Sequence, residues 1–371
     1  MKKKIFKRTL FVKVIISGCF FWILISFVQT DQLLEVASRI NWLYLTLSFV
    51  LVPIMLVISS LKWKMILDLH EEKIPFLRLI KIYLIGYFFS NLLPSTVGGD
   101  VARSYYSGKI INNQSFSAIA IFIERFSGVF ILLILVIVSP LINADLYKIP
   151  YIYVPSIVSI VLILITVWIW RAQQPLELLH HSARLIFSFL YKSASLPGLT
   201  RLTSIIKVLE KFYQNVYKQL EKLHNELKTS VDTIKQDRAL LFKIICITIL
   251  FYLFTWLNVY VAFMAFGIKP GFFSTCALVP TALFMAQIPV TILGNMGFFE
   301  SVFVLYFLLI GIPGAETLAM GLLLRLKMLT IGGAGYLVYL SYSHEKYIGE
   351  EIDQFDNQSK NDLKTQLSRE T

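Results

Sequence analysis

Six ionisable residues sit in or beside apolar sequence: Asp100, Arg103, Glu124, Arg125, Glu300 and Arg325. Charge at membrane depth is costly and persists where it faces protein, a water-filled cavity or a substrate. Asp100 and Arg103 are three residues apart, so a helix beginning after Gly99 puts them on one face. They could form a polar gate or contact a headgroup. The plainer alternative is an N-terminal cap by Asp100, with Arg103 reaching interfacial phosphate. Glu124 and Arg125 are adjacent inside the apolar stretch from Ala118 to Val138. They read as a cavity wall for charged headgroups or as an ion pair joining helices. Glu300 would open a helix, where a carboxylate complements the helix dipole. Arg325 and Lys327 interrupt the last apolar run. Lys327 has the reach to snorkel; Arg325 is the stronger site candidate, because it echoes Arg125 at an offset of 200.

Two breaks lie near these charges. The first holds Pro94, Gly98 and Gly99; the second holds Pro289, Gly294 and Gly297. Broken backbone cannot face lipid, because its peptide groups have no water to turn to, so such a break is buried in protein or lines a cavity. Pro94-Ser95-Thr96-Val97-Gly98-Gly99-Asp100 also echoes Pro289-Val290-Thr291-Ile292-Leu293-Gly294-Asn295, offset by 195.

The chain has 371 residues, 56% of them hydrophobic, and a mean hydropathy of +0.68. That composition predicts an all-α polytopic membrane protein of about six to eight spanning helices plus one or two re-entrant or broken hairpins. The net charge of +12 concentrates at the N-terminus and in loops, where it sets topology and meets anionic lipid rather than nucleic acid. There is no Walker A loop, no HExxH, no Cys/His metal set and no readable Ser-His-Asp arrangement. No cofactor or metal and no enzymatic activity are therefore expected. Cys19, Cys246 and Cys276 read as buried thiols.

Apolar segments fall near 9–28, 41–61, 79–97, 115–139, 150–170, 239–266, 273–293, 299–312 and 316–342. The first, behind Met1–Arg8, is too long for a cleaved signal and reads as a retained span with a cytoplasmic N-terminus. Lys62, Lys64, Lys73, Arg78 and Lys81 place the following loop inside. In 172–238, Lys and Arg outnumber Asp and Glu ten to six, which favours the same side. Both regions lie inside if 79–97 enters and returns through 100–110 as a re-entrant hairpin. A second hairpin from 273–293 and 299–312 would complete an inverted repeat; two full spans there leave the C-terminus inside as well. Transporters built this way hold substrate near the bilayer midplane, between the repeats.

Residues 1–343 form one transmembrane domain, with 172–238 as a cytoplasmic helical insertion and 344–371 as a flexible charged cytoplasmic tail. In the insertion, Ile205, Leu209, Phe212, Val216, Leu220, Leu223, Leu227, Val231 and Ile234 recur at steps of three and four. This apolar stripe packs on the membrane, on the protein's own helices, or on a partner or second copy.

The pattern Leu93-Pro94-Ser95-Thr96-Val97-Gly98-Gly99-Asp100-Val101-Ala102-Arg103, followed by Glu124-Arg125-Phe126-Ser127-Gly128, resembles the flippase-like transmembrane domain of lysylphosphatidylglycerol synthases. Stand-alone membrane proteins grouped with that domain look the same. Pro289, Gly294, Gly297, Glu300 and Arg325 are similar to its second signature, and the likeness covers about residues 9–342. Here Gly294-Asn295-Met296-Gly297-Phe298-Phe299-Glu300 stands where relatives often have Gly-x-Gly-x-Arg-Glu, so the headgroup preference does not carry over. The resemblance implies transfer of an aminoacylated or glycosylated lipid between leaflets of a bacterial cytoplasmic membrane. No synthase domain is expected in this chain, so a separate lipid-modifying enzyme is an expected partner. The absence of an ATP motif implies scrambling, or coupling to protons or membrane potential with Asp100 and Glu124 as proton carriers. Two alternatives stand beside it: a secondary transporter of a soluble solute, and a non-transporting accessory that recruits an envelope enzyme through the 200–236 helix. Membrane lipids are the expected ligands, and a homo-oligomer is compatible with the sequence.

Overall fold

A computed structural model describes residues 35–36, 38–92, 97–171, 225–234, 236–288, 290 and 295–367, with isolated positions between 210 and 221. The 9–28 segment, most of the 172–238 insertion, and Pro94, Pro289 and Gly294 lie outside the described residues. The described residues contain helices and no strand.

Nine α-helices follow in order: α1 (Trp42–Leu67), α2 (Phe76–Leu92), α3 (Gly98–Ile110), α4 (Gln114–Val138), α5 (Pro150–Arg171), α6 (Arg238–Met264), α7 (Phe272–Ala286), α8 (Phe298–Leu308) and α9 (Gly314–Leu367). A 3-10 segment, Ser139–Lys148, joins α4 to α5. Five helices are long and apolar enough to cross a membrane: α1, α4, α5, α6 and the part of α9 up to Tyr342. This is a multi-pass membrane protein. α9 continues to Leu367, through the stretch from His344 where the sequence predicts a flexible tail. Good helix formers, among them Glu345, Lys346, Glu350 and Glu351, keep the backbone helical there without an apolar face.

Local chemistry sets the helix starts. The Asn41 carboxamide accepts from the Leu43 and Tyr44 amides, Asn113 from Phe116, and Asp237 from Leu240. Gly297 adopts φ +83°, which glycine tolerates, and its amide donates to the Glu300 carboxylate.

α2 with α3, and α7 with α8, are antiparallel pairs of short helices. At about 1.5 Å per residue none exceeds about 26 Å, short of the roughly 30 Å hydrocarbon thickness. α2 and α3 touch backbone to backbone: a methyl at Gly99 would overlap the Gly86 carbonyl and Ser90 Oγ. The Asn41 amide donates to the Ala265 carbonyl at 2.7 Å, so α1 begins where α6 ends and the two run antiparallel. The His70 and Phe116 rings, 5.1 Å apart, put the α1–α2 and α3–α4 loops at one end of the molecule. Arg78 and Tyr106 meet Tyr342 there. Phe263, Phe266, Phe307 and Ile312 gather at the opposite end. The loops that flank the first pair therefore lie at one end and those that flank the second at the other.

Element positions correspond across the halves. α3 and α8 start 200 residues apart, as do α4 and α9; α1 and α6, and α2 and α7, start 196 apart. Exchanging α1 with α6, α2 with α7, α3 with α8 and α4 with α9 maps α2–α9 packing onto α4–α7, and α1–α4 onto α6–α9. Leu227, Val231 and Ile234, the described end of the insertion stripe, pack on the apolar core of the first half.

Candidate functional site

The tip of the α2–α3 pair brings four of the six sequence candidates together and adds one. Arg103 Nη2 donates to Glu124 Oε2 at 3.0 Å, and Nη1 lies 3.4 Å from Asp100 Oδ1. Arg125 Nη2 and Nε both reach Asp100 Oδ1, at 2.9 and 3.2 Å. Lys62 Nζ is 3.9 Å from Glu124 Oε1. Three cations face two carboxylates, which leaves one positive charge in excess.

Burial divides these residues. Arg103 and Glu124 are buried, and the Arg103 guanidinium lies between the Trp63 ring at 4.3 Å and the Tyr83 ring at 3.9 Å. A guanidinium held by one carboxylate and two aromatic faces is fixed in place. The Arg125 side chain is 55% exposed. Around it, Val101, Phe122, Phe126 and Val129 also turn outward. Arg103 Nε, Trp63 Nε1 and Ser60 Oγ are buried and meet no hydrogen-bond partner among the described residues. Asp100 does not cap α3; the residue ahead of that helix is Val97, with no side-chain cap bond, and the Asp100 carboxylate is committed to Arg103 and Arg125.

The remaining two candidates form a separate pair. Arg325 Nε donates to Glu300 Oε1 at 2.9 Å, while Glu300 Oε2 takes the Gly297 amide. Asp100 and Arg125 are 25 residues apart, and so are Glu300 and Arg325. The structural counterpart of Asp100 is thus Glu300, and not Asn295, which the motif echo aligns with it. Asn295 instead ties off the end of α7, donating to the Ala286 and Ile288 carbonyls. Among the hinge candidates, Gly98 and Gly99 open α3 and Gly297 precedes α8.

Sequence reasoning missed Lys62, Trp63 and Tyr83 as partners in these contacts. Lys327 does not snorkel: it is 2% exposed, and its ammonium donates to Ser48 Oγ and Asn258 Oδ1, each at 2.6 Å. Lys62 groups with the loop cations in sequence, but it turns inward on α1.

Residues 10–334 match the family described as the lysylphosphatidylglycerol synthase TM region. The chain belongs to this family. A UPF0104 membrane protein of Methanothermobacter thermautotrophicus is 22% identical over 344 residues, covering 89% of this chain and 95% of that protein. A UPF0104 membrane protein of Methanocaldococcus jannaschii is 33% identical over 111 residues, and the match spans about a third of each, 30% of this chain and 32% of the relative. No solved structure matches the chain. In this lysylphosphatidylglycerol synthase TM-region protein, Gly98 to Arg103 lie on α3 and Glu124 to Gly128 on α4, where the charges converge.

Proposed function

We propose that this protein moves a phosphate-bearing lipid, aminoacylated or glycosylated, between leaflets of the cytoplasmic membrane, as a transporter without enzymatic chemistry. The observation that carries this reading is Arg125: its side chain is more than half exposed at mid-span, among outward-facing Val101, Phe122 and Phe126. A cation placed so opens toward lipid rather than toward an enclosed aqueous vestibule. Arginine is suited to phosphate because its planar fork matches two oxygens. A headgroup phosphate entering from the bilayer side would take Arg125 from Asp100, and Asp100 would keep Arg103. Acyl chains would remain in lipid beside the aromatic stripe Phe122–Phe126–Phe130.

The arrangement of elements supports the same reading. Antiparallel α1 and α6, oppositely entering helix pairs and matched 25-residue ion pairs are the features of an inverted repeat with two re-entrant hairpins. Such folds place substrate between the repeats and alternate its access. The end of the 225–234 helix rests on the protein's own core, which leaves less apolar stripe for recruiting an envelope enzyme.

The test is translocation by purified protein in liposomes, offering aminoacyl-phospholipid, ordinary phospholipid and a polyprenyl-linked sugar in parallel. Wild type should move one class, and Arg125→Ala and Asp100→Asn variants of verified fold should not. No transport of any lipid, with or without a proton gradient, would overturn the proposal in favour of a soluble solute.

A further inference from the structure

Lys327 lies where α1, α6 and α9 meet, near the middle of the α9 span. Its surroundings differ from those of the other buried amine. Lys62 on α1 has Glu124 as a counter-charge. At the offsets that relate the halves, Glu124 corresponds to Leu324 and Lys62 to Asn258. Lys327 therefore has a neutral carboxamide and a hydroxyl, and no carboxylate among the described residues lies within ion-pair distance. α1 carries no charge from Trp42 to Leu61, and α6 none from Ile244 to Met264. On α9 itself, Arg325 is paired with Glu300 of α8.

An ammonium has three donors, and two are used here. Burying it without a counter-charge is costly, and Ser48 and Asn258 offset that cost only in part. One negatively charged oxygen ligand would supply both the third acceptor and the missing charge. The position suits a transient ligand: the Asn91 carboxamide at the tip of the first hairpin donates to the Met328 carbonyl at 3.0 Å, and the tip of the second holds Arg325 through Glu300. Both broken elements reach α9 within four residues of one another, with Lys327 between them.

We infer that Lys327, Ser48 and Asn258 form an oxyanion site, separate from the Arg125–Asp100 pair, that receives the phosphate of the transported headgroup midway through its passage. The lipid source of that phosphate rests on the proposed function; the oxyanion chemistry does not.

Thermal unfolding of the purified full-length chain in detergent tests this, with dihexanoylphosphatidylglycerol, inorganic phosphate and uncharged dihexanoylglycerol as probes. A ligand that binds only the folded state raises its melting temperature. The phospholipid should raise it in wild type and dihexanoylglycerol should not. Lys327→Met should melt no lower than wild type without ligand and should lose the part of the response that Arg125→Ala retains. Asn258→Asp supplies an internal counter-charge, so it should melt higher without ligand and lose that same part of the response. A response to inorganic phosphate alone, lost in both variants, keeps the oxyanion site and removes the lipid source. The inference is overturned if Lys327→Met or Asn258→Asp melts well below wild type yet responds fully, which would make Lys327 a structural strut. It is overturned equally if wild type responds to none of the three probes.

Discussion

Glu124 is the residue on which the buried charges depend. It neutralises Arg103 and approaches Lys62, and neither cation has another carboxylate closer. Removing one partner of a buried pair leaves the other uncompensated, so Glu124→Gln should destabilise the fold by about 3 kcal/mol. Chemical unfolding in detergent would measure this. Arg125→Ala should leave the unfolding midpoint close to wild type, because Asp100 retains Arg103 and the Arg125 side chain packs little. A midpoint shift as large as that of Glu124→Gln would assign Arg125 a structural role instead. Residue type alone made Asp100, Arg103, Glu124 and Arg125 visible as charges in apolar sequence. It did not reveal Lys62, because lysines after an apolar run ordinarily mark a cytoplasmic loop. α1 in fact continues to Leu67, past the apolar segment, and this extra turn carries Lys62 and Trp63 round to the buried side.

The hairpin elements depend on close backbone approach. Gly99→Ala would drive a methyl into the Gly86 carbonyl, and Gly335→Ala would do the same at the Leu84 carbonyl of α2. Overpacking of this kind costs roughly 1–3 kcal/mol, whereas Gly333→Ala, with nothing within 4 Å, should be neutral or slightly stabilising. Melting curves of the three variants would check the ranking, and a tolerant Gly99 would mean that α2 and α3 do not pack as described. The breaks themselves were legible, because Pro and Gly clustered with charge in an apolar run disrupt a helix that lipid would otherwise enforce. Their register was not. The connection in the second half is longer than in the first, between Ala286 and Phe298 rather than between Leu92 and Gly98, so aligning the prolines matches Asp100 to Asn295. The ion pairs, which depend on contact across 25 residues, reveal the other alignment.

For the whole molecule, the decisive question is which loops share a side. With the native cysteines replaced, single cysteines at Glu71 and Asn112, both exposed, should be labelled by an impermeant thiol reagent from the same face of the membrane. Lys269 and Gly311 should both be labelled from the opposite face. Opposite labelling of Glu71 and Asn112 would make α2–α3 a crossing and would dismantle the inverted plan. Loop charge gave the same answer by parity, but only for a chain whose short helices turn back. Composition cannot distinguish a 17-residue helix that returns from one that crosses, which is why the labelling experiment is needed.

Packing is exchanged between halves. Gly332 and Gly335 on α9 seat Asn91 and Leu84 of the first hairpin, while Leu132 and Val136 of α4 pack on Leu283 and Phe284 of the second. Each short pair is thus bolted to a long helix of the opposite half, α2 to α9 and α7 to α4. If the protein transports as proposed, a tilt of one half would drag the other half's helix pair with it, as the two doors of an airlock move on one linkage. Opening at one face and closing at the other would then be a single mechanical event, and a leak through both at once would require the small-residue seam between α2 and α9 to come apart.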